Sequence, residues 1–186
     1  AGNEPMLGHM RRQPGLFRLG QGTILESTLR YITAAKEAGI DGIFYAIQHA
    51  RFPLLSREEY EVWGRPYDHQ ILDAAQDLWL NMVHLHSTDV MFDLVAAYPA
   101  PLLNWHDRES GISLADGLGH IRGAASGGVD HWTLHQESPE QTIAEAKNAV
   151  EQTNGRRLLL GTGCVAMTTT PLRNIRALRE SVISGR

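Results

Sequence analysis

The chain has 186 residues, 42% of them hydrophobic and 20% charged, with a net charge of −4. That balance suits a globular domain with a sizeable core and excludes two partner classes. No basic run offers a nucleic-acid surface, and no apolar stretch nears the ~20 residues that span a bilayer. The single cysteine excludes an intrachain disulfide and fits a reducing, cytoplasmic setting.

Residues 1–22 are rich in Gly, Pro and Arg with weak periodicity, and read as a lead-in or linker to a domain over 23–186. From Thr23 to Ala38, Leu25, Leu29 and Ile32 recur at helical spacing, and Gly39 is the stop. Asp41 to Ile47 reads as a buried strand. Ser56-Arg57-Glu58-Glu59 is a capping box opening a helix that Gly64 and Pro66 should split. That helix resumes through Ile71 and Leu72 to Leu78. A strand over 81–86 follows, then a short helix capped by Ser87 or Thr88 with Met91, Leu94 and Val95 inward.

Pro99 and Pro101 bracket entry to a strand ending Asn104-Trp105-His106-Asp107. A short helix is expected around Leu114–Leu118, then a thin, glycine-rich strand from Gly123 to Val129, with Asp130 and His131 in a turn after it. Ser138-Pro139-Glu140-Gln141 opens another capped helix with the stripe Ile143, Ala146 and Val150, ended by Asn154-Gly155. Leu158–Leu160 is the last strand, and Thr170-Pro171 opens a final helix carrying Ile175, Leu178 and Val182.

Five strands alternating with helices argue for an α/β fold with a parallel sheet. No glycine-rich phosphate loop follows the first strand, which counts against a nucleotide-binding open sheet. A complete (β/α)8 barrel needs roughly 250 residues, so this length holds about five of its strand–helix units. The expectation is the later part of such a barrel. Its open sheet edges would then require either a missing N-terminal half or a homo-oligomeric partner.

The strand ends carry the chemistry. Residues i and i+2 of a strand face one side, so His84 and His86 can share a ligand position. Cys164 follows a strand several places away, and a closed barrel would bring its sulfur across. Two imidazoles and one thiolate leave a tetrahedral ion one open site, the pattern of catalytic zinc. His106 and Asp107 are candidates to support that ion or to act as catalytic groups, together with Asp130. Each has a plainer reading as a solvated loop or turn residue.

The segment Leu160-Gly161-Thr162-Gly163-Cys164-Val165 through Thr170-Pro171-Leu172-Arg173-Asn174 resembles the closing strand and helix of the uroporphyrinogen decarboxylase family. Other pieces match in the same order: Ala38–Gly42, Leu55–Tyr60, Arg65-Pro66-Tyr67, His84-Leu85-His86 at a His-x-Cys position, Asn104-Trp105, and Gly127–Asp130. The resemblance implies a (β/α)8 barrel whose members decarboxylate porphyrinogens or pass methyl groups from corrinoid proteins to thiols. Thr162 stands where the decarboxylase branch usually has histidine, and no clear equivalent of its tyrosine loop is present, although Tyr45 lies near. The methyltransferase branch holds zinc at the positions matching His84, His86 and Cys164. The resemblance therefore implies zinc-assisted methyl transfer to a thiol, with a corrinoid donor carried by a partner. It makes Tyr45, Trp105, His131 and Thr162 candidates to contact the substrate, a thiol or a tetrapyrrole. The alternatives are metal-free porphyrinogen decarboxylation and a non-catalytic half-barrel that binds or assembles.

Overall fold

A computed structural model describes residues 2–183. Ala1 of the expected lead-in and residues 184–186 of the expected domain lie outside the described residues. The order is α1 (Asn3–Arg12), α2 (Pro14–Glu37), β1 (Phe44–Ile47), α3 (Arg57–Trp63), α4 (Arg65–Ala74), β2 (Met82–Leu85), α5 (Phe92–Ala96), β3 (Leu102–Trp105), α6 (Leu114–Leu118), β4 (Ala124–Val129), α7 (His131–Gln136), α8 (Pro139–Thr153), β5 (Leu158–Thr162) and α9 (Leu172–Ile183). The five strands form one sheet in the order β1-β2-β3-β4-β5, every neighbouring pair parallel. Among the described residues no helix is long and apolar enough to cross a membrane.

Strand alternation sorts the side chains. Val83, Leu85, Leu103, Trp105 and Ala125 are buried in the main core, on the side the helices cover. Ala46, His84, Asn104 and Ser126 lie level with one another in the parallel register and face the other way. Among the described strands β1 and β5 each pair on one side only, and on the uncovered face Phe44 of β1 is 64% exposed and Leu159 of β5 is 47% exposed.

Several local expectations hold for the physical reason given. Ser56 accepts from the Glu59 amide while Glu59 reaches back to the Ser56 amide. Ser138 and Gln141 do the same for α8. Gly64 divides α3 from α4, and Asn154 ends α8 in the left-handed conformation.

Others differ. The stretch read as lead-in is helical: α1 buries Met10 in the main core, and α2 begins at Pro14 rather than Thr23. Its glycines hide the helical signal, whereas Pro14 sits in the first turn, where its missing N–H costs nothing. Neither Ser87 nor Thr88 caps α5, which starts after Met91 without a side-chain cap. Ser87 instead accepts from Arg51. A helix, α7, stands where a turn is expected after Asp130. The buried stripe of α8 is Thr142, Ala146, Ala149 and Thr153, and Val150 is 40% exposed. Hydrophobicity misled here because two threonines satisfy their hydroxyls on backbone carbonyls one turn back and can be buried. On α9, Ile175 and Val182 are exposed, whereas Asn174 is buried and donates to the Leu134 and Glu137 carbonyls.

A buried carboxylate ties α4 to the sheet. Asp68 accepts from the phenols of Tyr45 (2.6 Å), Tyr98 (2.7 Å) and Tyr60. Burial first, and the Asp68 charge second, raise all three phenol pKa values above the ordinary range. An acid whose folded-state pKa lies above its unfolded value stabilises the fold below that unfolded value, about 10 for tyrosine, and ceases to as pH rises through the folded one. Unfolding free energy is therefore expected to fall as pH climbs above about 10, with tyrosinate absorbance from these residues appearing only as the fold is lost. A spectrophotometric titration showing all five tyrosines ionising in the folded chain would contradict this network.

Candidate functional site

The uncovered face of the sheet lines a cavity of about 440 Å³ that runs from Phe44 and Met82 at the strand starts, past His84, to His86, Thr162, Cys164 and Val165 at the C-terminal strand ends. His84 comes from β2, and His86 follows two residues on, so both rings reach the same side. Asn104, beside His84 in the register, fixes that ring. Its Nδ2 donates to the Ser126 and Thr162 carbonyls, at 2.8 and 3.0 Å. Those two acceptors orient the amide, so its oxygen faces the His84 Nδ1 at 2.5 Å and takes the proton there. The Nε2 lone pair is left facing Cys164, whose Sγ is 4.0 Å away. Burial, chiefly, pushes the His84 pKa down to about 4, keeping the ring neutral at pH 7. Burial lowers that of His86 as well.

Cys164 arrives through a close pass. A Cβ on Gly163 would lie 2.8 Å from the Trp105 carbonyl oxygen and 3.2 Å from the His106 Cα, so only glycine lets the turn after β5 run against the end of β3. The turn delivers the sulfur to 3.7 Å from the His86 Nδ1. The Thr162 hydroxyl holds it there, donating to the Cys164 carbonyl at 2.5 Å. Burial raises the thiol pKa above its ordinary value.

His106, just beyond β3, joins the same group: its Nε2 is 3.4 Å from the His86 Nδ1, and its Nδ1 donates to Glu109 at 2.6 Å. One ligand atom from each of His84, His86, His106 and Cys164 lies within 4.8 Å of the other three. Around an ion with bonds of about 2.0–2.3 Å, tetrahedral edges run about 3.3–3.8 Å. The 3.4 Å His86–His106 and 3.7 Å His86–Cys164 separations are of that size and the 4.0 Å His84–Cys164 one is slightly longer, and imidazole with thiolate is a donor set suited to zinc. His106, Glu109 and His131 form a second close group.

The remaining candidates separate. Thr162 lines the cavity. His131 stands beside it, its ring 5.7 Å from that of His106 and its Nδ1 3.9 Å from Glu109. Asp107 turns away from the cavity: Oδ1 accepts from the Gly128 amide at 3.1 Å, and the carboxylate lies 3.6 Å from Arg108. Its surroundings, including Gly127 and Gly128 at φ of 151° and 109°, form the strand's glycine bend. Asp107 therefore braces the Gly128 backbone. Asp130 is committed to capping α7, accepting from the Trp132 and Thr133 amides. Trp105 is a core residue, fully buried against Phe92, with its indole N–H on the Ile112 carbonyl. It was expected near substrate, but strand alternation points it to the helices. Tyr45 faces the helices for the same reason and gives its hydroxyl to Asp68. Sequence reasoning missed the parts of Asn104 and Glu109. The three-residue step from His106 to Glu109 was visible, but no pattern announced that the two side chains meet.

The uroporphyrinogen decarboxylase family matches residues 2–184. No curated protein matches the chain. A solved methyltransferase from Methanosarcina mazei is similar over 98% of this chain, with a TM-score of 0.85 and 22% identity, which shows a shared fold. The match covers 53% of that protein, so this chain spans about half its length.

Replacing Asn104 by leucine would strand the buried Ser126 carbonyl and the part-buried Thr162 carbonyl and free the His84 ring. Unfolding free energy is expected to drop by about 1–3 kcal/mol. Nitrogen chemical shifts should show His84 leaving the pure Nδ1–H tautomer. An unchanged tautomer in the folded variant would contradict the role given to the amide.

Proposed function

Because the chain belongs to the uroporphyrinogen decarboxylase family, we propose that it forms the metal-bearing part of a barrel that transfers a methyl group to a thiol with the help of zinc. The observation that carries this reading is the convergence of the His84 and His86 nitrogens on the Cys164 sulfur, at 4.0 and 3.7 Å. These three side chains would hold the ion. When bound, zinc lowers the pKa of a coordinated thiol and holds it as a thiolate nucleophile near neutral pH.

The chain's own residues prepare that chemistry. Asn104 keeps the His84 lone pair aimed inward, and burial keeps His84 neutral and lowers the pKa of His86, which eases the loss of any proton before an ion binds. Phe44, Met82 and Val165 contribute apolar side chains to the cavity wall. In the transfer itself the thiolate sulfur attacks the methyl carbon. The bond between methyl and donor breaks, and its electron pair stays with the donor. A corrinoid carried by a partner protein is the donor class proposed.

The remaining wall belongs to the same proposal. The exposed edges β1 and β5, with a match to only half of a related fold, support further strand–helix units docking there to close the mouth.

The test is metal content and affinity. One zinc per chain is expected, with affinity falling at least about 100-fold in Cys164→Ala. Methyl transfer to a small thiol should be lost with the metal and restored on its return. A chain that binds no zinc yet binds coproporphyrin would point to decarboxylation instead.

A further inference from the structure

The proposed ligand trio leaves a tetrahedral ion one position short, and the structure offers a fourth donor that no matched motif contains. We propose that His106 completes the set and that Glu109 is the positioning residue that aims it, so that the resting site is closed by four protein donors. This rests on the zinc reading above and goes beyond it.

The geometry comes from the ring's two ends. The His106 Nε2 lies 3.4 Å from the His86 Nδ1, about the edge of a tetrahedron with zinc–nitrogen bonds near 2.0–2.1 Å. The opposite nitrogen, Nδ1, is 2.6 Å from Glu109 Oε2. A carboxylate there takes the Nδ1 proton and leaves the Nε2 lone pair directed at the His86 ring, the arrangement that orients metal-bound histidines. Glu109 thus sits behind the ring and acts through it. The ring has little freedom: it is 7% exposed and is flanked by those of His84, His86 and His131 at 5.8, 5.1 and 5.7 Å. The loop after β3 supports the aim, with the Glu109 and Ser110 amides both donating to the His106 carbonyl.

Closure has a consequence for the acceptor. With four protein donors in place, a thiol reaches the ion only by displacing one of them, its proton passing to the buffer. Removing the His106 imidazole leaves that position ready.

Cobalt(II), used as a spectroscopic stand-in for zinc, tests this in the intact chain. Wild type should bind one ion with the intense visible bands of a four-coordinate site. His106→Ala should still bind, with affinity lowered about 10–100-fold and weaker, shifted bands as water enters. 2-Mercaptoethanol should bind the cobalt form of His106→Ala at least about tenfold more tightly than that of wild type. Glu109→Ala should lose affinity as His106→Ala does. Glu109→Gln, whose amide oxygen still accepts from Nδ1–H, should recover most of it. His106→Gln, matched to wild type by circular dichroism, guards against misfolding as the cause.

Unchanged affinity and spectrum in His106→Ala would overturn the fourth-ligand assignment while leaving the trio intact. Two ions per wild-type chain would overturn it as well, by placing Glu109 and His131 around a second centre. A wild type that binds no ion would remove the zinc reading itself.

Discussion

Everything at the mouth of this sheet depends on one close contact, the passage of Gly163 against the last residues of β3. The Trp105 carbonyl and the His106 backbone leave no room for a side chain there. Because the turn hugs β3, the next residue, Cys164, falls among imidazoles that originate on β2 and just beyond β3. A bulkier residue would lift the turn and carry the sulfur away with it. The site is thus held by backbone sterics before any side-chain chemistry is considered.

Polar groups around that contact are paired in layers. Asn104 links β3 to carbonyls of β4 and β5 and spends its remaining oxygen on His84. Asp107 secures the glycine bend of β4 from below. Arg108 reaches the Gly128 and Glu145 carbonyls and the Asn148 side chain, fastening that bend to α8. Such buried networks raise the cost of any alternative register, because each misplaced strand would strand several donors at once. Three consecutive residues, His106, Asp107 and Arg108, divide the labour. The first faces the His84 and His86 imidazoles, the second the bend and the third the covering helix.

The sheet is finished on one face and open at both edges. Its helix-covered side buries a main core and two smaller clusters, whereas β1 and β5 expose apolar side chains to solvent on the other face. Apolar residues also lie outward on α2, at Leu16, Leu19 and Ile24, and on α9 at Leu172, Ile175 and Val182. Exposed apolar side chains of this kind mark surfaces suited to packing against another element or chain.

The sequence by itself determined the alternation of strands and helices, the two capping boxes, the split at Gly64 and the parallel α/β class. These depend on local periodicity and on backbone groups a few residues apart, which a linear reading can see. It also singled out His84, His86 and Cys164, by their places at strand ends and by the family resemblance together. Only the tertiary structure decided which neighbours those residues meet. That Asn104 orients His84, that His106 joins the group through Glu109, and that Asp107 and Asp130 serve the backbone all depend on register between strands and on a glycine's clearance. Trp105 and Tyr45 make the same point from the other side: one residue of alternation separates the cavity from the core. No pattern along the chain states which face will be enclosed, because that is settled only when the sheet meets its helices.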